Sequence, residues 1–337
     1  MQSILAVTIP FFALVLLGYL AAQRRLLPES AIPGLNAYVL YFALPCLLFR
    51  FGASMPLGRL IDPALVTIYA LCALLVVALT VGMTWRRGSA GHGVDLKNAA
   101  FGALVAAFPN SGFMGVPLLV ALFGHAAAGP VIGTLLVDLF LTSTLCLALA
   151  QVQVQVHGQR PNGAPTTSLP TVLARSLRGA ATNPQPWAIG LGALAAATAL
   201  QPPAPVAQVV KMLADSASPV ALFTIGSVLW RAGQHAHART PVREYLPVAL
   251  VKLFVHPLLV GAVGLAARAA GVAVPGFGLM VLVLAAALPS ASNVSLLAER
   301  HGADNGRVAR IIMASTVLAF ASFSALAWAL GVAHGPH

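Results

Sequence analysis

Apolar residues run along this chain in long unbroken blocks rather than in the alternation of a strand or the one-sided stripe of a surface helix. Seven stretches carry no charge at all: Met1–Gln23, Ser30–Phe49, Pro63–Trp85, Asn98–Val137, Gly179–Val210, Ala269–Ala298 and Ile311–His337. A helix needs about 20 apolar residues to cross the hydrocarbon core, and each stretch reaches that length or approaches twice it. Clumped charges and Pro/Gly punctuation divide the blocks into ten helices, near 3–22, 33–54, 64–85, 98–124, 127–151, 184–201, 205–230, 245–268, 276–299 and 307–331. The pattern predicts an all-α integral membrane protein. Its longest polar stretch, Gln151–Ala180, separates five helices from five. The expected organisation is a first five-helix unit over 1–151, a cytoplasmic linker over 152–182 and a second unit over 183–337.

Composition sharpens that reading. Of 337 residues, 59% are hydrophobic and 8% charged, with a mean hydropathy of +0.88. A soluble domain carries roughly 25% charged residues, so a soluble fold is excluded. The segment Leu5–Leu20 resembles a signal peptide in length, but no basic residue precedes it and Arg24 and Arg25 follow it, as expected for a retained first helix.

The net charge of +11 does not point to nucleic acid, because the basic residues sit in short loops. Alternate loops hold 14 of them (Arg24, Arg25; Arg86, Arg87, Lys97; Arg160, Arg175, Arg178; Arg231, Arg239, Arg243; Arg300, Arg307, Arg310). The opposite loops hold 4: Arg50, Arg59, Lys211 and Arg268. Lys and Arg accumulate on the cytoplasmic side, so both termini are expected outside a cytoplasmic (inner) membrane crossed many times. Cys46, Cys72 and Cys146 are isolated in apolar runs and form no metal spacing.

Five helices per half force the second half to run inverted, and matching motifs support such a repeat. Leu44-Pro45 is followed by Gly52, and Ser218-Pro219 by Gly226, seven residues after each proline. Ala106-Ala107-Phe108-Pro109-Asn110 in the fourth helix pairs with Ala286-Ala287-Leu288-Pro289-Ser290 in the ninth.

The densest helix-breaking signal is Phe108-Pro109-Asn110-Ser111-Gly112-Phe113-Met114-Gly115-Val116-Pro117. Proline removes a donor and clashes with a preceding carbonyl, so two prolines and two glycines break the helix. Broken backbone at membrane depth is tolerated only inside protein or beside a water-filled cavity. Leu288-Pro289-Ser290-Ala291-Ser292-Asn293 has the same character. Paired interruptions in two halves point to a transporter binding site. Each restarted half-helix offers N–H groups carrying about half a positive charge, which favours an anion. The candidate substrate-binding residues are Pro109, Asn110, Ser111, Gly112, Pro289, Ser290, Ser292 and Asn293. The alternative is that the prolines only kink two packed helices.

Ionisable side chains inside spans cost about 2.5–3.5 kcal/mol or more and mark function by default. Asp138, Asp215 and Lys252 qualify as proton- or sodium-coupling candidates. Structural hydrogen bonding is the other reading for the aspartates, and snorkelling to the membrane edge the other for Lys252. His256 is read as a packed, hydrogen-bonded histidine, with a protonation site the other reading, and His235 and His237 as part of a solvated basic loop. No Walker-type loop, Gly-x-Ser-x-Gly or HExxH occurs, so no cofactor or metal is expected and transport would draw on gradients or membrane potential.

Asn110-Ser111-Gly112-Phe113-Met114-Gly115-Val116-Pro117-Leu118, Leu288-Pro289-Ser290-Ala291-Ser292-Asn293 with Leu297-Ala298, and Tyr41-Phe42-Ala43-Leu44-Pro45 resemble the auxin efflux carrier family. That family includes bacterial malonate-type carriers and the plant PIN proteins. The resemblance spans essentially the whole chain. It implies a scaffold of helices 1, 2, 6 and 7, a transport domain of helices 3–5 and 8–10, and broken, crossing helices 4 and 9 holding the substrate. An elevator-like movement and a homodimer formed through the scaffold are further implications; the long cytoplasmic loop of many plant members is missing here. The function expected is secondary transport of a small mono- or dicarboxylate such as malonate. An intramembrane enzyme built on Asp138, Asp215 or His256, and a channel or receptor on the same fold, are the competing readings.

Overall fold

The computed structural model describes residues 2–85, 94–156, 181–234 and 240–331, with 171, 174, 178 and 179. Most of the 152–182 linker, Arg86, Arg87, Arg239, His235 and His237 lie outside the described residues. All named elements are helices. Among the described residues, seven are long and apolar enough to cross a membrane: α1 Ile4–Gln23, α2 Ala31–Ala53, α3 Pro63–Thr84, α6 His125–Val152, α8 Ala204–Arg231, α9 Val242–Ala269 and α12 Asn305–Ala329. Shorter helices stand between them: α4 Leu96–Ala107, α5 Ser111–Phe123, α7 Pro184–Ala197, α10 Gly276–Ala286 and α11 Asn293–Arg300.

Local chemistry sets the helix starts. Asp62 Oδ1 accepts from the amides of Ala64 and Leu65 (2.9 and 3.2 Å) to begin α3, and Asp95 Oδ1 accepts from Asn98 N (2.7 Å) to begin α4. Asn183 and Asp304 cap α7 and α12 in the same way. Such a cap supplies a partner to one of the amides a helix start leaves unbonded. Widened π turns occur at Val39–Ala43, Ser111–Gly115, Asp138–Thr142 and Val251–Val255. Pro45, Pro117 and Pro257 each follow such a turn by two residues; the missing proline N–H leaves a carbonyl that the wider turn accommodates.

The helices pack in two groups. In the first, α1 lies against α8 and α2 against α7 and α8. Backbones touch there: a Cβ on Gly18 would lie 1.9 Å from Phe223 O, and one on Gly226 would lie 1.9 Å from Val15 O. On α7, a Cβ on Gly192 would meet Phe49 O at 2.3 Å, and one on Gly52 would meet Ile189 O at 2.7 Å. No rotamer relieves a clash with a carbonyl, so Gly226→Val is expected to cost at least about 2–3 kcal/mol through overpacking. Thermal unfolding in detergent checks this, with Gly34→Ala, which meets nothing within 4 Å, as the unaffected control.

The second group gathers α3, α4, α6, α9, α10 and α12 around the short helices. Arg307 corrects one sequence expectation. Read as a loop charge, it is 2% exposed and ties this group together, donating to Asn98 O (2.8 Å) and Glu244 O (3.0 Å). Gly102 leaves the room its guanidinium needs.

Candidate functional site

Two helices stop in the middle of the second group and two others start there. α4 ends at Ala107 and α5 begins at Ser111; α10 ends at Ala286 and α11 begins at Asn293. The two interruptions meet. Asn110 N donates to Pro289 O at 2.8 Å and Ala291 N donates to Phe108 O at 3.0 Å, a short antiparallel bridge. Each interrupted backbone thus satisfies the other at a depth where water is scarce. Ser111 Oγ lies 3.0 Å from Thr134 Oγ1 on α6, and Ser290 N donates to Ser315 Oγ on α12 at 3.2 Å.

A small cavity of about 20 Å3 opens where this crossing faces α2 and α7, room for about one water molecule. Of the expected residues, Pro109, Asn110, Ser111, Gly112, Ser292 and Asn293 line it. Pro289 and Ser290 do not line it; they belong to the bridge behind it, through Pro289 O and Ser290 N. Gln185, on the first turn of α7, also lines the cavity and was not singled out in the sequence. Its carbonyl oxygen and that of Asn293 are buried without a hydrogen-bond partner among the described residues. Leu44, Leu135 and Leu139 add apolar lining.

A buried polar network lies on the other side of the crossing. Asp138 is fully buried, with Oδ2 accepting from Tyr69 OH at 2.8 Å and Oδ1 from Thr142 Oγ1 at 3.0 Å. Lys252 does not snorkel: it is also fully buried, and its Nζ donates to Ala286 O at 2.6 Å and lies 3.4 Å from His256 Nδ1. Tyr69 OH also approaches Ala107 O at 3.4 Å. Ala107 and Ala286 are the last residues of α4 and α10, whose terminal carbonyls carry partial negative charge.

Asp215 stands apart from this network. Its side chain is 51% exposed and accepts from Arg50 (2.8 Å) and Lys211 (2.6 Å), so it is satisfied by neighbours on α2 and α8. The sequence shows an acid inside a span with Lys211 one turn before it, but not Arg50, which comes from the adjacent helix α2. A further cavity, about 150 Å3, lies between α2, α8 and α11. There Arg231 sits 3.8 Å from Glu29 and 3.7 Å from Glu299. Partly exposed pairs of this length are worth at most about 1 kcal/mol each. Beside α11, partial burial and then the Arg300 charge lower the pKa of His301 from its ordinary value. Among the described residues no cluster of three His, Cys, Asp or Glu could hold a metal ion.

Comparisons with known proteins agree with a membrane carrier. Residues 3–328 match the family described as membrane transport protein. A Rhizobium meliloti protein provisionally named a malonate transporter is 27% identical over 329 residues, covering 97% of this chain and 95% of its own. An uncharacterized transporter of Methanothermobacter thermautotrophicus is 26% identical over 310 residues, 92% of each chain. Auxin efflux carrier component 8 of Arabidopsis thaliana is 25% identical over 126 residues, 37% of this chain and 34% of its own.

Proposed function

Because the chain belongs to the membrane transport protein family, the auxin efflux carriers, and is therefore a membrane transporter and not an enzyme, we propose that it is a secondary carrier for a small organic anion, a mono- or dicarboxylate such as malonate. The observation that carries this reading is the crossing: two helices break at one place, bond to each other, and restart beside one cavity. The starting ends of α5 and α11 present amides without intrahelical acceptors, a ready site for a carboxylate. Asn110, Ser111, Ser292 and Asn293 add neutral donors beside them.

Counting α4 with α5 and α10 with α11 as single broken spans, and α7 as a short one, makes ten spans in two inverted halves. Packing symmetry supports the repeat. Gly18 and Gly192 lie 174 residues apart, as do Gly52 and Gly226, and exchanging the halves converts the close approach of α1 and α8 at Gly18 and Gly226 into that of α7 and α2 at Gly192 and Gly52. In this reading α1, α2, α7 and α8 form a scaffold, and the remaining spans move against it as an elevator. The cavity's small size fits a closed state that widens as substrate enters. Asp138 and Lys252 are the coupling candidates, for a proton or for replacing a sodium ion by a tethered charge. The Arg50–Asp215–Lys211 cluster lies on an exposed face within a span, where bare charge is costly; this supports a homodimer covering that face. The loop-charge bias supports a cytoplasmic membrane with both termini outside.

Reconstituted protein tests the reading. Proteoliposomes loaded with unlabelled malonate should take up labelled malonate by saturable counterflow. A non-saturable flux would make it a channel, and the absence of flux for every small carboxylate tried would remove the anion assignment.

A further inference from the structure

We propose that Gln185 contacts the substrate and selects small acids that carry a second hydrogen-bonding group over plain monocarboxylates; this rests on the carboxylate-carrier reading above. Three observations carry it. Gln185 is 3% exposed, yet its Oε1 has no partner among the described residues. Its backbone is pinned, since its amide donates to Asn183 Oδ1 at 2.9 Å and Pro184 precedes it in the first turn of α7. Its side chain lines the cavity at the crossing, where Asn293 Oδ1 is likewise buried and unpartnered.

The two amides come from opposite sides. Gln185 belongs to the α1, α2, α7, α8 group, whereas Asn293 starts α11 beside the crossing. A carboxylate held by the half-helix ends satisfies the crossing's donors and leaves Gln185 unpaired. A second carboxyl, hydroxyl or amide on the same small molecule supplies what is missing. An amide serves either partner, because turning it end for end exchanges an acceptor for two donors. A plain monocarboxylate puts an alkyl group there and leaves a buried amide unbonded. Sites built to bond a polar group reject analogues lacking it far more strongly than apolar pockets reject a missing methylene. A two-headed substrate would also touch both packing groups at once, so its binding would sense their relative position.

Isothermal titration of the purified full-length protein tests this with malonate, glycolate, acetate and propionate. The wild type is expected to bind malonate or glycolate at least 10-fold more tightly than acetate and propionate. Gln185→Leu should weaken the two-headed acids about 10-fold or more and change propionate less than about 2-fold; Gln185→Met, of similar length, is the second variant if the first does not fold. Equal affinity for all four acids in the wild type overturns the proposal and leaves the carrier reading standing, as does an equal loss for every acid in the variant, the result if Gln185 only holds a water molecule. Binding of none of the acids overturns both.

Discussion

A Lys252→Met variant is expected to lose about 1.5–3 kcal/mol of stability. The figure is that for a hydrogen bond to a charged group. Lys252 is fully buried, and its ammonium is bonded to Ala286 O at 2.6 Å. Methionine keeps the length and the apolar stem but leaves that terminal carbonyl of α10 unbonded. Tyr69 and Thr142 still donate to Asp138. Folded proteins are stable by only about 5–15 kcal/mol, so the loss is a large part of the whole. Thermal unfolding in detergent measures it. Adding Asp138→Asn should cost as much as Asp138→Asn costs alone, since no ion pair joins the two side chains; a double variant more stable than Lys252→Met would contradict this and show direct charge coupling.

The second large effect falls on transport and spares stability. Asn293→Leu is expected to lower kcat/KM for a small carboxylate about 10- to 100-fold. A hydrogen bond to a charged group is worth about 1.5–3 kcal/mol, and each 1.4 kcal/mol is a factor of ten. The folded protein loses no bond made by Asn293 Oδ1, because that atom has no partner among the described residues. Unfolding temperature should therefore stay at or above the wild-type value while flux in proteoliposomes falls. A variant that transports normally would remove Asn293 from the site; one that unfolds would make it structural.

These contrasting effects show what the sequence discloses. Long apolar runs bring out membrane helices because the bilayer's thickness sets their length, and the all-helical membrane fold is legible from them. The breaks at Pro109 and Pro289 are legible too, since proline's missing donor acts locally whatever the neighbours do. What sequence hides is which distant side chains meet. Asp138, Asp215 and Lys252 look alike as charges in apolar runs. Only packing gives Asp138 the Tyr69 hydroxyl of α3 and Lys252 the Ala286 carbonyl of α10, while α2 brings Arg50 to Asp215. Arg307 reads as a loop residue because it stands one turn from a helix start, and only the gap at Gly102 shows how it can be buried. Gln185 falls inside the sixth predicted helix, 184–201, but nothing in the sequence sets this one neutral polar residue apart. The Asn183-Pro184 cap puts it in the first turn of that helix, and only the cavity at the crossing shows what it faces.

The central claim is that the two half-helix starts hold a negative charge. Titrating the purified protein with small carboxylates and with their uncharged amides of the same shape, malonate against malonamide first, tests it most directly. The account predicts one site per chain for the carboxylate and at least about 100-fold weaker binding of the amide, since the positive ends act on charge and not on shape. Equal affinity for the two would contradict it.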